Sequence, residues 1–591
     1  MSGIHLGLSF PEAICRVLEA IANPSSDDPI HECDPFLKKN ILQNPGLVLQ
    51  RAETHMRSVY PYKDVKMCWR RLFTDASIVD AVFSIITNCH LSEFEPWARR
   101  YHDRLSLLTS EIKERQETHG DWFNFEPDRA PDDWIVKGVI HTLDYALIMT
   151  GIPGRKREVH GLFDQLQRAI EKGEAVAKAE ERFDPTIQPN LELPMFSQAS
   201  VNRPEVKNPV LRVRNPSLDW LVNHLTNVRT PFVIEGECEH WPARSGENSW
   251  ASSKFWWNHT LKGHRLVPVE LGKSYTAEGW GQQITEFGKF AKWYLWDQVP
   301  TPSDRSPITD PNDYSPSLFG WEKRTWWEPD LDKAGVAYLA QHDLLTQIPA
   351  LRKDICIPDM CHAPTLGPEP GTPVYEKAKR DRAEEQARQR AGAEAEAGPA
   401  EELAAEPNPA ELTTEATEEP DYDSDFTPGN PSEPIINTWI GPEWTVTPLH
   451  HDPYHNAFCQ VVGSKYVRLY SPHSPADKIH PRGLELFEEL LDEDPERTPR
   501  WIDMSNTSLV NIEDIETSPA EAEEWENLWP GFQDLEYLDT VLEEGDCLYI
   551  PIGWWHYVRA LRAGVSVSFW WNKEPWKEYS DGEYGQGQSS E

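Results

Sequence analysis

The chain has 591 residues, 39% of them hydrophobic, which is apolar material for roughly two to four domains and excludes a protein disordered throughout. A formal net charge of −40 argues against direct nucleic-acid binding through phosphate neutralisation and favours basic partners, such as histone or ribosomal proteins, although much of the acid lies in one stretch where it serves solubility. Nine scattered cysteines without a CxxC pair, no leader-like segment and no apolar run long enough to cross a bilayer predict a soluble protein of the nucleus or cytoplasm, with no membrane partner.

Residues 1–183 read as a helical N-terminal domain. Within Thr74–Asn88, Ile78, Val82, Ile85 and Ile86 recur at helical spacing behind the cap-type residues Thr74 and Asp75. A second helix is expected from Pro131 to Gly151, with Ile135, Val139, Leu143 and Leu147 on one stripe, and a third carries Val159, Leu162, Phe163, Leu166 and Ile170. Proline-rich 184–214 reads as a linker. A mixed domain follows over 215–361, in which 297–335 reads as an inserted surface loop. The composition then shifts: 362–433 is rich in Ala, Glu and Pro, and no Lys or Arg occurs between Arg390 and Lys465. This stretch reads as a disordered acidic insertion whose first part, Val374 to about Ala393, samples helix. The second part of the mixed domain spans 434–575, within which LELFEELLDEDPER from Leu484 looks helical, and 576–591 reads as a flexible tail.

The densest chemistry lies in TVTPLHHDPYHNAFCQVVGSKYVRLY, Thr445 to Tyr470. In an extended strand residues two apart share a face, so His450 and Asp452 point one way and His451 the other. With a distant histidine they form a 2-His-1-carboxylate set, which suits Fe(II) and leaves coordination positions open. His556, in the strand-rich run EEGDCLYIPIGWWHYVRAL, is the candidate third ligand. Gly463-Ser464 between two β-rich runs predicts a two-residue hairpin that sets Lys465 on a face with Val467 and Leu469. A buried ammonium is costly, and an anionic ligand would resolve it.

The triad and Lys465, together with VPVELGKSYTAEGW from Val267, AYLAQHDLLTQIPALRKDICIPD from Ala337, INTWIGPEWTVTPLHHDPYHN from Ile436 and the WWHYVRAL and SVSFWW runs, resemble the JmjC family of Fe(II)- and 2-oxoglutarate-dependent oxygenases. The likeness is strongest to the branch of lysine demethylase 8, also described as protein arginyl hydroxylases. The resemblance implies an α+β protein: an all-helical N-terminal domain followed by a double-stranded β-helix of cupin type. It further implies that His450, Asp452 and His556 hold iron, that Lys465, Tyr338, Thr447, Asn456 and Gln341 surround 2-oxoglutarate, that O2 is the co-reactant, and that Glu270, Trp439 and Trp570 line the substrate pocket. The expected reaction is hydroxylation of an arginine in a basic protein, with histone lysine demethylation as a second reading and a non-catalytic cupin-like scaffold as a third.

Overall fold

The computed structural model describes residues 10–59, 62–88, 135–179, 191–197, 203–272, 274–276, 280–296, 336–396, 433–486, 501–517 and 522–572. The insertion expected at 297–335, the expected tail and residues 131–134 lie outside these residues, as does 397–432 of the acidic stretch.

The described N-terminal segments are helical: α1 (Phe10–Ala22), α2 (Pro35–Asn40), α3 (Pro45–Ser58), α4 (Met67–Asn88), α5 (Thr142–Thr150) and α6 (Lys156–Ala179). The apolar stripes read from the sequence meet in one core holding Ile78, Val82, Ile85, Val139, Leu143, Leu162 and Leu166. A π-helical turn, Val136–His141, leads into α5, which stops where Gly151 adopts φ +70. Thr74 and Asp75 do not cap α4, which begins seven residues earlier, at Met67. Both are buried within it: Thr74 Oγ1 donates to Arg70 O, and Asp75 accepts from Arg155 Nε at 2.9 Å. Tertiary partners there satisfy side chains whose type otherwise favours a helix start. The core of this region is not closed by helices alone, because Leu261 and Leu266 from the mixed domain belong to it.

Among the described residues the strands that follow are β1 (Leu211–Val213), β2 (Phe232–Ile234), β3 (Leu266–Leu271), β4 (Gly281–Glu286), β5 (Ala337–His342), β6 (Ile435–Gly441), β7 (Val446–His450), β8 (His455–Val462), β9 (Lys465–Tyr470), β10 (Leu484–Leu486), β11 (Trp501–Asp503), β12 (Tyr537–Leu542), β13 (Cys547–Ile550), β14 (Trp555–Ala560) and β15 (Gly564–Trp571). One sheet has the order β1-β2-β13-β8-β15-β6-β5-β3-β4 and a second β12-β9-β14-β7, while β10 and β11 form a separate ribbon. The two larger sheets pack face to face, since Phe458, Leu548 and Ile550 of one share a core with Val467, Leu469 and Val558 of the other. Among the described residues no strand is common to both, so these two sheets are not closed into a single barrel. The whole is α+β.

Two local expectations are corrected. The Leu484 segment opens as strand, not helix, with Leu486 opposite Trp501 in the β10–β11 ribbon; the rest of it, 487–497, lies outside the described residues. Nor do β8 and β9 form a hairpin: β8 pairs with β13 and β15, and β9 with β12 and β14. Gly463-Ser464 is a corner that carries the chain from one sheet to the other. Gly463 sits at φ +82, and a Cβ there would lie 2.4 Å from Ala563 O. On the facing chain, a Cβ on Gly564 would lie 1.9 Å from Val462 O. Gly564→Ala is therefore expected to destabilise the protein by about 2–4 kcal/mol. A thermal melt would measure this, and an unchanged midpoint would refute the close approach.

Of the acidic stretch, Pro373–Glu396 is an α-helix. Thr372 and Val374 are buried at its start, and Lys377 pairs with Asp503 at 2.7 Å.

Candidate metal centre

The strand alternation predicted for His450 and Asp452 does not reach the aspartate. β7 ends at His450, and Asp452 lies in the turn beyond it. The turn nevertheless brings the carboxylate to the same place, with Asp452 Oδ2 3.8 Å from His450 Nε2 and 3.6 Å from His556 Nε2. His450 and His556 face each other in register across β7 and β14, with ring centroids 4.2 Å apart. Among the described residues these three form the metal-type cluster of the chain, their ligand atoms all within 4.8 Å of one another.

The donor orientation suits a cation. His450 Nδ1 lies 2.8 Å from Pro448 O and His556 Nδ1 3.0 Å from Trp554 O. A carbonyl only accepts, so each Nδ1 donates there and each Nε2 is left facing Asp452. Burial, reinforced by the neighbouring His450, pushes His556 well below the usual imidazole range, and burial pushes the Asp452 carboxyl up. Two imidazole nitrogens thus face a buried carboxylate. A divalent metal ion fits that donor set and retains open positions.

His451 is turned away. Its ring meets the edge of Trp555 at 4.5 Å, and burial pushes it down to about 4. His455 is a structural residue, with Nδ1 2.8 Å from Tyr549 Oη and Nε2 2.9 Å from Leu366 O.

Lys465 points from β9 into the space between the sheets. It is 4% exposed, and Nζ donates to Tyr338 Oη at 2.9 Å. No carboxylate among the described residues pairs with it, and burial brings it down to about 7. Tyr338 is buried on β5, bonded to Thr447 of β7 and pushed up by burial. Asn456 is buried on β8, with no partner for Oδ1 among the described residues. Lys465, Tyr338 and Thr447 thus form one bonded group, with Thr447 three residues ahead of His450 on β7. Gln341 does not join them: it is exposed at φ +49, in the irregularity between Leu339 and His342 that bends β5.

Among the residues expected to line a substrate pocket, Glu270 stands opposite Tyr338 in the β3–β5 pairing, and burial pushes its carboxyl up. Trp439 lies 5.9 Å from the Tyr338 ring and donates from Nε1 to Ser568 Oγ at 3.0 Å. Trp570 is opposite Asn456 and stacks on Tyr454 at 5.4 Å.

Sequence reasoning missed Tyr275 and Thr507. Tyr275 Oη lies 3.3 Å from Thr507 Oγ1, and burial pushes the phenol up to about 12, with Asp452 and Glu270 adding to the effect. Thr507 in turn bridges His450 through the backbone. Tyr275 follows β3 outside any strand, so alternation is silent about it; its only signal was its place in the VPVELGKSYTAEGW segment.

A family model described as a cupin-like domain matches residues 328–577. Lysine-specific demethylase JMJ30 of Arabidopsis thaliana is 31% identical over 350 residues, 58% of this chain and 50% of that protein. Lysine-specific demethylase 8 of Xenopus tropicalis is 29% identical over 357 residues, 60% of this chain and 51% of that one. The chain thus spans about half the length of these curated relatives. The Escherichia coli ribosomal oxygenase YcfD is 17% identical over 24% of each chain at a TM-score of 0.13, too slight a likeness to carry weight. Over residues 328–577, under half of its length, the chain is thus similar to a cupin-like domain.

Proposed function

We propose that the protein is an Fe(II)- and 2-oxoglutarate-dependent oxygenase that hydroxylates a protein side chain, arginine first. The observation that carries this reading is the clustering of His450, Asp452 and His556 together with a buried Lys465 that pairs with no carboxylate among the described residues. Bound iron would supply oxygen activation coupled to decarboxylation of 2-oxoglutarate to succinate. Lys465 would pair with the far carboxylate of the cosubstrate, while Tyr338, kept protonated by burial, and the Thr447 and Asn456 side chains would add hydrogen bonds. Around the opening, Glu270 would accept from a cationic side chain, and the faces of Trp439 and Trp570 would hold its planar or alkyl portion. A guanidinium suits a carboxylate beside an aromatic face better than a compact ammonium does, which places arginine ahead of methyl-lysine. The net charge of −40 fits a basic protein substrate.

The second reading, lysine demethylation by the same chemistry, is favoured by the relatives named lysine-specific demethylases. A scaffold without catalysis has no need of the buried, anion-deficient Lys465. Incubating the full chain with Fe(II), 2-oxoglutarate and Arg-rich and methyl-lysine histone peptides separates these readings. Gain of one oxygen on arginine is the expected product. Loss of a methyl group with formaldehyde would move the assignment to demethylation, and succinate release no faster than that of an Asp452→Ala variant would sink the oxygenase reading.

A further inference from the structure

The strands that carry Glu270 and Tyr338 are anchored from outside the cupin-like domain. Asp144 of α5 has no solvent exposure and accepts four kinds of hydrogen bond from the mixed domain. Arg265 Nε reaches both of its oxygens at 2.9 and 2.8 Å, Arg265 Nη2 reaches Oδ1 at 2.7 Å, Gln347 Nε2 reaches Oδ1 at 2.9 Å, and Leu266 N reaches Oδ2 at 2.9 Å. Leu266 is the first residue of β3. The α5 carboxylate thus fixes the start of the strand on which Glu270 stands four residues later.

From the same carboxylate the bonding continues to β5 and β6. Gln347 also donates to Leu266 O at 2.6 Å, and its Oε1 lies 2.7 Å from His342 Nε2. His342 closes β5 beyond its bend, and its carbonyl accepts from Thr438 Oγ1 at 2.8 Å, one residue before Trp439. The junction is sealed on both sides. Arg265 lies 3.8 Å over the ring of Phe163 on α6, and Glu286 at the end of β4 meets His141 at 3.2 Å and His264 at 3.3 Å. All of Asp144, Arg265 and Gln347 are buried, and Leu261 and Leu266 complete the helical core.

We propose that Asp144 is a positioning residue for the oxygenase site: the helical region serves as a wall of the catalytic unit, and through Arg265, Leu266 and Gln347 it sets where β3 and β5 present Glu270 and Tyr338. The inference rests on the oxygenase reading only for its catalytic consequence, since the anchoring itself is a property of the strands. A misplacement of about 1 Å at such a distance is enough to cost an enzyme a hundredfold.

The test uses the full chain with Asp144→Asn, which keeps the shape but sets an amide donor against the donors of Arg265 and Leu266. Hydrogen exchange is expected to quicken at residues 266–271 and 337–342. With Mn(II) in place of iron, metal content should be unchanged, while the calorimetric affinity for 2-oxoglutarate falls about tenfold. A double variant, Asp144→Asn with Arg265→Gln, removes the unpaired cation and should regain melting temperature without regaining slow exchange in those two strands. If Asp144→Asn does not fold, Gln347→Met leaves the bonds of Asp144 to Arg265 and Leu266 N in place and removes those of Gln347 to Asp144, Leu266 O and His342, and quickened exchange is then expected at 337–342. Exchange at both strands equal to that of the parent chain, or rescue of exchange together with melting temperature in the double variant, would overturn the proposal. A parent protein without oxygenase activity would remove the functional reading and leave the exchange result standing.

Discussion

Asp452→Ala is expected to lose bound metal and to lower succinate release by at least about a hundredfold, while the metal-free protein becomes no less stable. Both halves follow from the environment of the carboxylate. His450 and His556 each donate from Nδ1 to a backbone carbonyl, and their Nε2 atoms stand 3.8 and 3.6 Å from Asp452 Oδ2, beyond hydrogen-bond distance. Burial raises the Asp452 carboxyl. A carboxyl whose proton is held more tightly in the folded state makes folding less favourable as pH rises through the shifted range, because the native form there binds more protons than the unfolded one. Removing it relieves that penalty near neutral pH. A structural aspartate would behave in the opposite way, as loss of a buried, paired carboxylate typically costs 3–5 kcal/mol. Elemental analysis of metal content beside melts of the chelated protein separates the cases; metal retained at full stoichiometry in Asp452→Ala would remove the site from the assignment.

Lys465→Met should show the same trade of stability against function with the charge reversed. Burial brings this amine down to about 7, so between about 7 and its ordinary range the folded chain holds fewer protons than the unfolded one, and stability rises with pH. The penalty is complete below that window. At about 1.4 kcal/mol for each tenfold change in proton affinity, it amounts to a few kcal/mol in the absence of a ligand. The methionine variant, without cosubstrate, should therefore melt higher than the parent at pH 6.5 and lose the rise in melting temperature towards pH 9. Its affinity for 2-oxoglutarate should fall about a hundredfold, the scale of removing a partner from a buried charge pair. In the parent chain, binding a dianion at pH 8 should take up close to one proton, visible as a dependence of the calorimetric heat on buffer. A variant that melts lower and binds 2-oxoglutarate as well as the parent would show that Lys465 is a structural cation.

The chemistry of the site was legible because it resides in residue types and short spacings. His450, Asp452 and Lys465 are identifiable from a strand-like run with an out-of-place cation and His556 from a second run; the structure gathers the two histidines and the aspartate, and sets Lys465 on Tyr338. Gln341 stood beside Tyr338 in the sequence but not in space, because the bend at the end of β5 turns it outward. Thr74 and Asp75 carried a cap signature that burial against Thr150 and Arg155 overrode.

The sequence by itself determined the periods and the ligands: helical stripes in the first 180 residues, alternating strands after them, and the donor atoms of a metal set. Which strands pair was decided only in three dimensions. Gly463 and Gly564 let two backbones approach more closely than a Cβ permits, so β8 and β9 part into different sheets instead of folding back on each other. The tertiary structure likewise placed Tyr275 against Thr507 and drove Asp144 into the start of β3. Local periodicity fixes the face on which a side chain lies, whereas desolvation and close contact between segments far apart in the chain fix what that face meets.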